Sequence, residues 1–379
     1  MGDSEMLARS PLNLDPVAAA SPKSSVRQQS ILLIGAGKRI ESTVLPALAC
    51  LQDEYKIAGI YSRSQDKLDR LGTRWQVPVS TELDAFDWDA INVIYIAVTL
   101  HNVPDVLQAI TTKPTSQIVL MLDTPVLAKG HLDFTRLFRR FQAVYVGEDC
   151  IALPQFEVVR QTIASGAIGR PQKMWMFHSG YLYHAIATVR SLVGCSRVLL
   201  GRSRNYGRGG GEIQLKFASG FEVTIVQPRD YGVGRFLLVG SEGTIADYPL
   251  QAENARVIEY LQEGDRWTGL AVNGEAWPKT DLDRRFDTLS LTDLPDRSLM
   301  TQLKIRGLVS VLAYLQTGLF DRVYPATEGI YDSMLCYAMD VLPTWVDGLL
   351  LGGGTGINVF FLGILPVLLA ARRQLGYKP

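Results

Sequence analysis

The residues best placed to do chemistry begin with a glycine pair. Gly35-Ala36-Gly37-Lys38-Arg39-Ile40 follows the apolar run Ile31-Leu32-Leu33-Ile34 and opens a stretch of helical character that continues to Leu51. Glycines at alternate positions let a backbone turn tightly and approach a pyrophosphate. The helix that starts behind them offers free N–H groups and the positive end of its dipole. An ordinary αβ turn can also contain such a pair, so the strand–turn–helix context carries the reading. Ser62-Arg63 close a second strand, Lys56 to Tyr61. An acid there would bond a ribose 2′-hydroxyl. Arg63 and Ser62 suit a 2′-phosphate instead, because a guanidinium matches phosphate oxygens geometrically. NADP(H) is therefore expected in preference to NAD(H), with Gly35, Gly37, Lys38, Arg39, Ser62 and Arg63 in the site. A solvated loop arginine is the plainer account of Arg63.

A second set of groups could move protons. His184 lies beside Tyr183, with Tyr181 and His178 nearby. Imidazole is the side chain suited to general acid–base work near neutrality. A tyrosine taken singly is more often packed than reactive. Glu148 and Asp149 follow the strand Ala143 to Val146, and strand ends of open α/β sheets border the ligand crevice. An exposed acidic turn would explain them equally well. Arg202, Arg204 and Arg208 precede Gly209-Gly210-Gly211 and read as a basic hairpin loop able to receive an anion.

These groups need a scaffold, and the pattern of the chain supplies one. Strands Ile31–Ile34, Lys56–Tyr61, Ile91–Val98, Ile118–Leu122 and Ala143–Val146 alternate with helical stretches, among them Asp66–Arg74, Val103–Ile110 and a segment ending at Phe141. That alternation predicts a doubly wound parallel sheet of Rossmann type over residues 30–150. A helix from Gln155 to Ser165, stopped by Gly166, leads into a different pattern. Met174–His178, Glu212–Phe217, Phe221–Gln227 and Phe236–Gly240 predict a mostly antiparallel open sheet in an α+β domain over residues 151–345. Helices near Ser298–Thr317 and Glu328–Leu342 close it. Residues 1–29 read as a flexible leader with no signal-peptide pattern.

Lys plus Arg and Asp plus Glu both number 38, so no basic excess points to nucleic acid. The four cysteines and four histidines are scattered without metal-ligand spacing, so no metal is expected. Unpaired cysteines fit a reducing, cytoplasmic setting.

The ordered motifs resemble the glucose–fructose oxidoreductase and inositol dehydrogenase family, Gfo/Idh/MocA, from Ser30 to about Leu342. Gly35 and Gly37 match its first turn, and Ile60-Tyr61-Ser62-Arg63 its second strand end. Val93 to Thr99 resembles the strand leading to its Thr-Pro-Asn loop. Leu122-Asp123-Thr124-Pro125 stands where the family has Glu-Lys-Pro. Pro154, Ile163, Gly166, Ile168 and Gly169 match its hinge, and Gly240-Ser241-Glu242-Gly243-Thr244 its glycine-rich turn. The resemblance implies that Val98, Thr99 and Asp123 line the cofactor, that the second sheet covers the nicotinamide, and that this sheet can form a homodimer face. It also exposes departures. The third fingerprint glycine is Ile40. Thr124 replaces the lysine that commonly positions a substrate hydroxyl. His184 remains, but Gly180 replaces the Asp four residues before it and Ala187 the acid three residues after. Biliverdin reductase is a family relative that also lacks the lysine, and Asp123-Thr124-Pro125 compares with its Glu-Tyr-Pro.

Two function classes follow. One is an NADP(H)-dependent oxidoreductase with a divergent site, where His184, Tyr183 and Thr124 serve hydride transfer to or from a small or conjugated organic substrate. The other is a non-catalytic nucleotide-binding or assembly protein that keeps the fold, as Thr124, Gly180, Ala187 and the unusual tail suggest. Residues 346–379 form an apolar tail. Gly348 to Ala371 carry no charge and Arg372-Arg373 follow. The dense part, Ile357 to Ala371, is interrupted by Pro366. It suits a docked or membrane-surface helix contacting a membrane or a protein, with a spanning segment as the minority reading.

Overall fold

The computed structural model describes residues 28–207, 210–319, 322–341 and 344–346. The leader and the apolar tail beyond 346 lie outside them. Among the described residues, no helix is long and apolar enough to cross a membrane.

Strands β1 (Gln29–Ile34), β2 (Tyr55–Tyr61), β3 (Val79–Ser80), β4 (Val93–Ile96), β5 (Val119–Leu122) and β6 (Ala143–Val146) pair in parallel in the order β3-β2-β1-β4-β5-β6. This is the doubly wound order, and it reverses between β1 and β4. Apolar runs form these strands because helices cover both faces; Val93 to Ile96 are buried throughout. The helix after β1 contains a π turn over Ile40–Val44 before α1 (Leu45–Ala49). Leu45 N bonds to Ile40 O one residue early. Pro46 explains the shift, since its ring would clash with the carbonyl four residues back and it has no N–H to give. Helices α2 (Gln65–Trp75) and α3 (Val103–Ile110) follow the expected pattern, whereas Lys129–Arg140 is a kinked run of 3₁₀ turns.

After α4 (Pro154–Ala164) the chain enters a second sheet. Its strands are β7 (Pro171–Phe177), β8 (Val198–Gly207), β9 (Gly210–Phe217), β10 (Glu222–Gln227), β11 (Arg235–Gly240), β12 (Thr244–Ala246), β13 (Ala255–Glu263), β14 (Arg266–Val272) and β15 (Glu275–Ala276). Pairing is mostly antiparallel, with β7–β10 and β12–β13 parallel. Helix α5 (Leu182–Leu192) crosses between β7 and β8. Arg202 and Arg204 belong to strand β8, so the expected basic loop is a ladder strand at these two positions; Arg208 lies outside the described residues. The hinge and the glycine-rich turn read from the sequence meet. Arg170 N donates to Ser241 Oγ at 3.0 Å, Glu242 N donates to Ile168 O at 3.0 Å, and a Cβ on Gly240 would strike Ile168 O.

The chain then returns. Helix α6 (Asp281–Asp287) precedes α7 (Leu299–Thr317), which packs against the π turn and α1. Strand β16 (Tyr324–Pro325) adds an antiparallel edge to β6, α8 (Ala326–Val341) follows, and β17 (Thr344–Val346) pairs with β8. Fully buried Arg306 on α7 is held by Asp283 at 2.6 Å and Glu157 at 3.3 Å. Its charge is paired, as a buried guanidinium requires.

Candidate active site

The glycine turn has the shape a dinucleotide needs. Gly35 adopts φ +123°, and a Cβ there would lie 2.3 Å from Ala97 O, which excludes other residues. Gly37 faces open space within 4 Å, and helix begins at Lys38. The first-turn N–H groups of that helix have no intrahelical acceptor. Gly35 N donates to Tyr61 O at 2.8 Å, which brings the end of β2 beside the turn. Ser62 and exposed Arg63 follow at that corner. No partner for the Arg63 guanidinium is found among the described residues. Lys38 is exposed, 3.8 Å from Asp296. Val98 borders Gly35, and Thr99 Oγ1 accepts from Asn102. The residues of the turn thus fit a pyrophosphate, and the Arg63 guanidinium stands at the end of β2 beside it.

Arg39 does something the sequence pattern did not suggest. Its side chain runs inward to the C-terminal ends of β5 and β6. Nε donates to Asp123 Oδ1 at 3.0 Å, Nη1 to Asp149 Oδ2 at 2.6 Å, and Nη2 to Gly147 O at 3.2 Å. The Tyr95 hydroxyl also donates to Asp123 Oδ1, at 3.0 Å. Burial works to raise the Asp149 pKa, yet Arg39 and the more distant Lys304 hold this carboxyl below its ordinary value. Asp123 makes the longer bond to Arg39 and faces Asp149. There burial prevails and its pKa rises. Arg39 is thereby committed to two carboxylates rather than held out for a phosphate, and it fixes the glycine turn to the far side of the crevice.

The same strand end supplies the partner that His184 lacked in the sequence. Glu148 Oε1 lies 2.6 Å from His184 Nδ1 and also accepts from Cys150 N at 3.2 Å. Glu148 is 1% exposed and His184 8%, so water competes little for this contact. A carboxylate on Nδ1 fixes the ring and leaves Nε2 for another group. The acid beside this histidine comes from the loop after β6, not from the helix that carries it. Gly180 lies 3.6 Å from His184 Cβ through an added Cβ, and Ala187 is buried.

Tyr183 packs its ring 4.4 Å from that of His184 and stacks on Tyr181 at 5.6 Å. Burial pushes the Tyr183 phenol up, and the charges of Glu148 and Asp123 add to the effect. It is therefore a proton-holding group. No acceptor for its hydroxyl is found among the described residues. Thr124 follows Asp123 at the same strand end, half-buried. Glu148 Oε2 is buried without a hydrogen bond, so one acceptor of this cluster is unused.

Glu148, Cys150 and His184 place ligand-type atoms within 4.8 Å of one another. Sequence spacing could not show this, since the residues come from two elements. Two of the three already bond each other, and the cationic groups of Arg39 and Lys304 lie close enough to act on Asp149 beside them.

The first sheet with its glycine turn, joined to a second open sheet behind a proline-led helix, is a two-domain fold: a doubly wound parallel sheet of Rossmann type followed by a mostly antiparallel open sheet. No family model and no curated protein sequence matches the chain. Solved structures do. An oxidoreductase from Thermotoga maritima is similar with a TM-score of 0.59 and 15% identity, covering 86% of this chain and 100% of its own. An oxidoreductase from Agrobacterium radiobacter, solved with NAD+, L-tartaric acid and magnesium, gives 0.61 and 14% over 86% and 100%. A myo-inositol dehydrogenase from Corynebacterium glutamicum gives 0.58 and 13% over 85% and 99%.

Proposed function

We propose that this chain is an NADP(H)-dependent oxidoreductase acting on a small or conjugated organic substrate. The observation that carries the reading is the buried His184–Glu148 contact of 2.6 Å, set at the end of the parallel sheet that also carries the glycine turn. The nicotinamide complex of the Agrobacterium structure, on the same fold, supports the cofactor class. The free Arg63 beside Ser62 supports the phosphorylated form.

A nicotinamide supplies hydride exchange. The residues of this chain handle the proton that must accompany it. Reduction adds a hydride to carbon and a proton to the neighbouring atom, and oxidation reverses both. Glu148 holds His184 through Nδ1, so Nε2 is the nitrogen that gives or takes the proton. Tyr183, whose phenol keeps its proton, donates a hydrogen bond to the same substrate atom. Thr124 offers a neutral hydroxyl where the related family commonly has a lysine. Arg39 neutralises charge at Asp149 and Asp123, which would otherwise repel a pyrophosphate. The alternative of a non-catalytic protein keeps Thr124 and the apolar tail as its grounds; the Glu148 contact to His184 weighs against it.

We assign the nucleotide to residues 30–150 and the substrate side to residues 151–345. The outer face of the second sheet is a surface for a second copy of the chain. A cavity of about 620 Å³ opens there, lined by Lys173, Trp175, Phe177, Glu222 and Thr224 among others. Both charge signs and two aromatic rings share this face, which suits a self-complementary contact.

NADPH oxidation at 340 nm against a panel of carbonyl, enone and conjugated acceptors tests the reading. One acceptor should turn over, and His184→Ala should lower kcat about 10²–10⁴-fold. Turnover that His184→Ala leaves unchanged contradicts the proton role.

A further inference from the structure

We infer that Arg229 and Lys304, joined through Tyr231, form a receptor for an organic carboxylate on the substrate side of His184. The inference rests on the oxidoreductase reading and names the substrate class of that same site.

The two cations come from separate elements. Arg229 lies in the connection from β10 to β11, and Lys304 on α7. Lys304 Nζ donates to the Tyr231 hydroxyl at 3.0 Å and lies 4.6 Å from the centre of its ring. The Arg229 guanidinium carbon stands 5.1 Å from the same ring and 3.9 Å over the ring of Tyr181. Among the described residues, neither cation has a carboxylate within ion-pair distance. The other cations near the site do: Arg39 is spent on Asp123 and Asp149. Arg229 and Lys304 are thus held by aromatic rings, with N–H donors to spare, and the Asp149 carboxylate acts on Lys304 only from beyond ion-pair distance.

Their placement is built rather than loose. Asp230 N donates to His178 O at 2.8 Å, His178 N to Val226 O at 3.0 Å, and Gln227 Nε2 to Gly180 O at 3.1 Å. A Cβ on Gly234 would fall 2.9 Å from Ser179 Cα. The loop bearing Arg229 and Tyr231 is therefore locked to the segment that launches α5. Tyr181 connects the receptor to the reaction site, with one face under Arg229 and a ring 6.2 Å from that of His184.

This geometry selects among acids. Arg229 and His184 are separated by a tyrosine ring. A substrate that uses both must carry its carboxylate several bonds from the reacting carbon, as an aryl- or alkyl-linked acid does and an α-keto acid does not. One guanidinium, one ammonium and one phenol match the in-plane lone pairs of a carboxylate.

The test uses the full chain with saturating NADP+. Calorimetric titration compares 4-phenylbutyrate, the neutral 4-phenylbutyramide and inorganic phosphate. The acid should bind at least about tenfold more tightly than the amide, the effect of one charge-assisted bond. Arg229→Gln, on an exposed side chain, and Tyr231→Phe, which keeps the ring, should each cut that ratio at least about threefold, and Lys304→Met should abolish it. Equal affinity for acid and amide, no binding of the acid, or a ratio unchanged in Arg229→Gln and Lys304→Met overturns the inference. So does phosphate binding more tightly than the acid. NADPH affinity measured on the same preparations separates the two failures. Normal NADPH binding without acid preference defeats the receptor alone, and absent NADPH binding defeats the oxidoreductase reading.

Discussion

Replacing Arg39 by Met keeps the length and most of the volume of the side chain but removes the charge that two carboxylates share. The severe loss falls on Asp149. Its side chain is 1% exposed, and its bond to Arg39 is 2.6 Å long. Removing one partner of a buried pair costs about 3–5 kcal/mol, because the other charge stays uncompensated. Arg39 keeps 22% of its side-chain surface in solvent, which favours the lower figure, about 3 kcal/mol. Unfolding entropy of about 2 cal/mol/K per residue, over some 300 described residues, converts this to a fall in Tm of about 4–5 °C. The pH dependence has a definite sign. In the parent protein the Asp149 pKa is depressed, so its stabilising contribution is present above the ordinary carboxylate value and lost as pH falls through the depressed one. Without Arg39, burial raises that pKa, so the penalty is full at pH 8 and shrinks towards pH 5. Thermal unfolding at pH 8 and pH 5 reads both effects. Adding Asp149→Asn to Arg39→Met should recover most of the loss, since the orphaned charge is then gone. A single variant as stable as the parent at pH 8, or a double variant no better than the single, would refute this account of the clamp.

Two further perturbations probe other parts of the molecule. Burial pushes Asp247 up to about 6, although it accepts from Phe236 N at 2.7 Å and the Tyr260 hydroxyl at 3.2 Å. A raised carboxyl contributes stability below about pH 4 and loses it as pH rises through about 6, so Asp247→Asn should stabilise the fold by up to about 3 kcal/mol at pH 8 and hardly at all at pH 4, by urea unfolding. For the second sheet, Trp175→Glu should shift a dimer to monomer in light scattering; a parent protein that is already monomeric rules out the proposed face.

The first sheet was legible because buried parallel strands are short apolar runs, and helices between them leave few arrangements. Val93–Ile96 and Ala143–Val146 needed no tertiary information. Edge and half-exposed strands carried less signal. Arg202 and Arg204 look like loop residues in sequence, yet they sit in the ladder between β8 and β9. Hairpin β13–β14 went unread for a similar reason, its polar positions masking the alternation. In the proposed site, the glycines and His184 were visible because they belong to local motifs. Glu148 was noticed only as an acid at a strand end. Its bond to His184 joins residues 36 apart, and Arg39 reaches partners 84 and 110 residues away. Such contacts depend on how two sheets and a crossing helix meet, which no local pattern encodes. Lys304 and Arg229 were missed for the same reason; a lone cation in a helix or a turn reads as solvated.

The proposed dinucleotide site is one that prefers the phosphorylated cofactor. Fluorescence titration of the full chain with NADPH and NADH, at equal ionic strength, tests it most directly. NADPH should bind at least about tenfold more tightly, the worth of one or two charge-assisted bonds from Arg63 and Ser62, and Arg63→Ala should bring the two affinities together. Equal affinities in the parent protein, or no binding of either nucleotide, would contradict it.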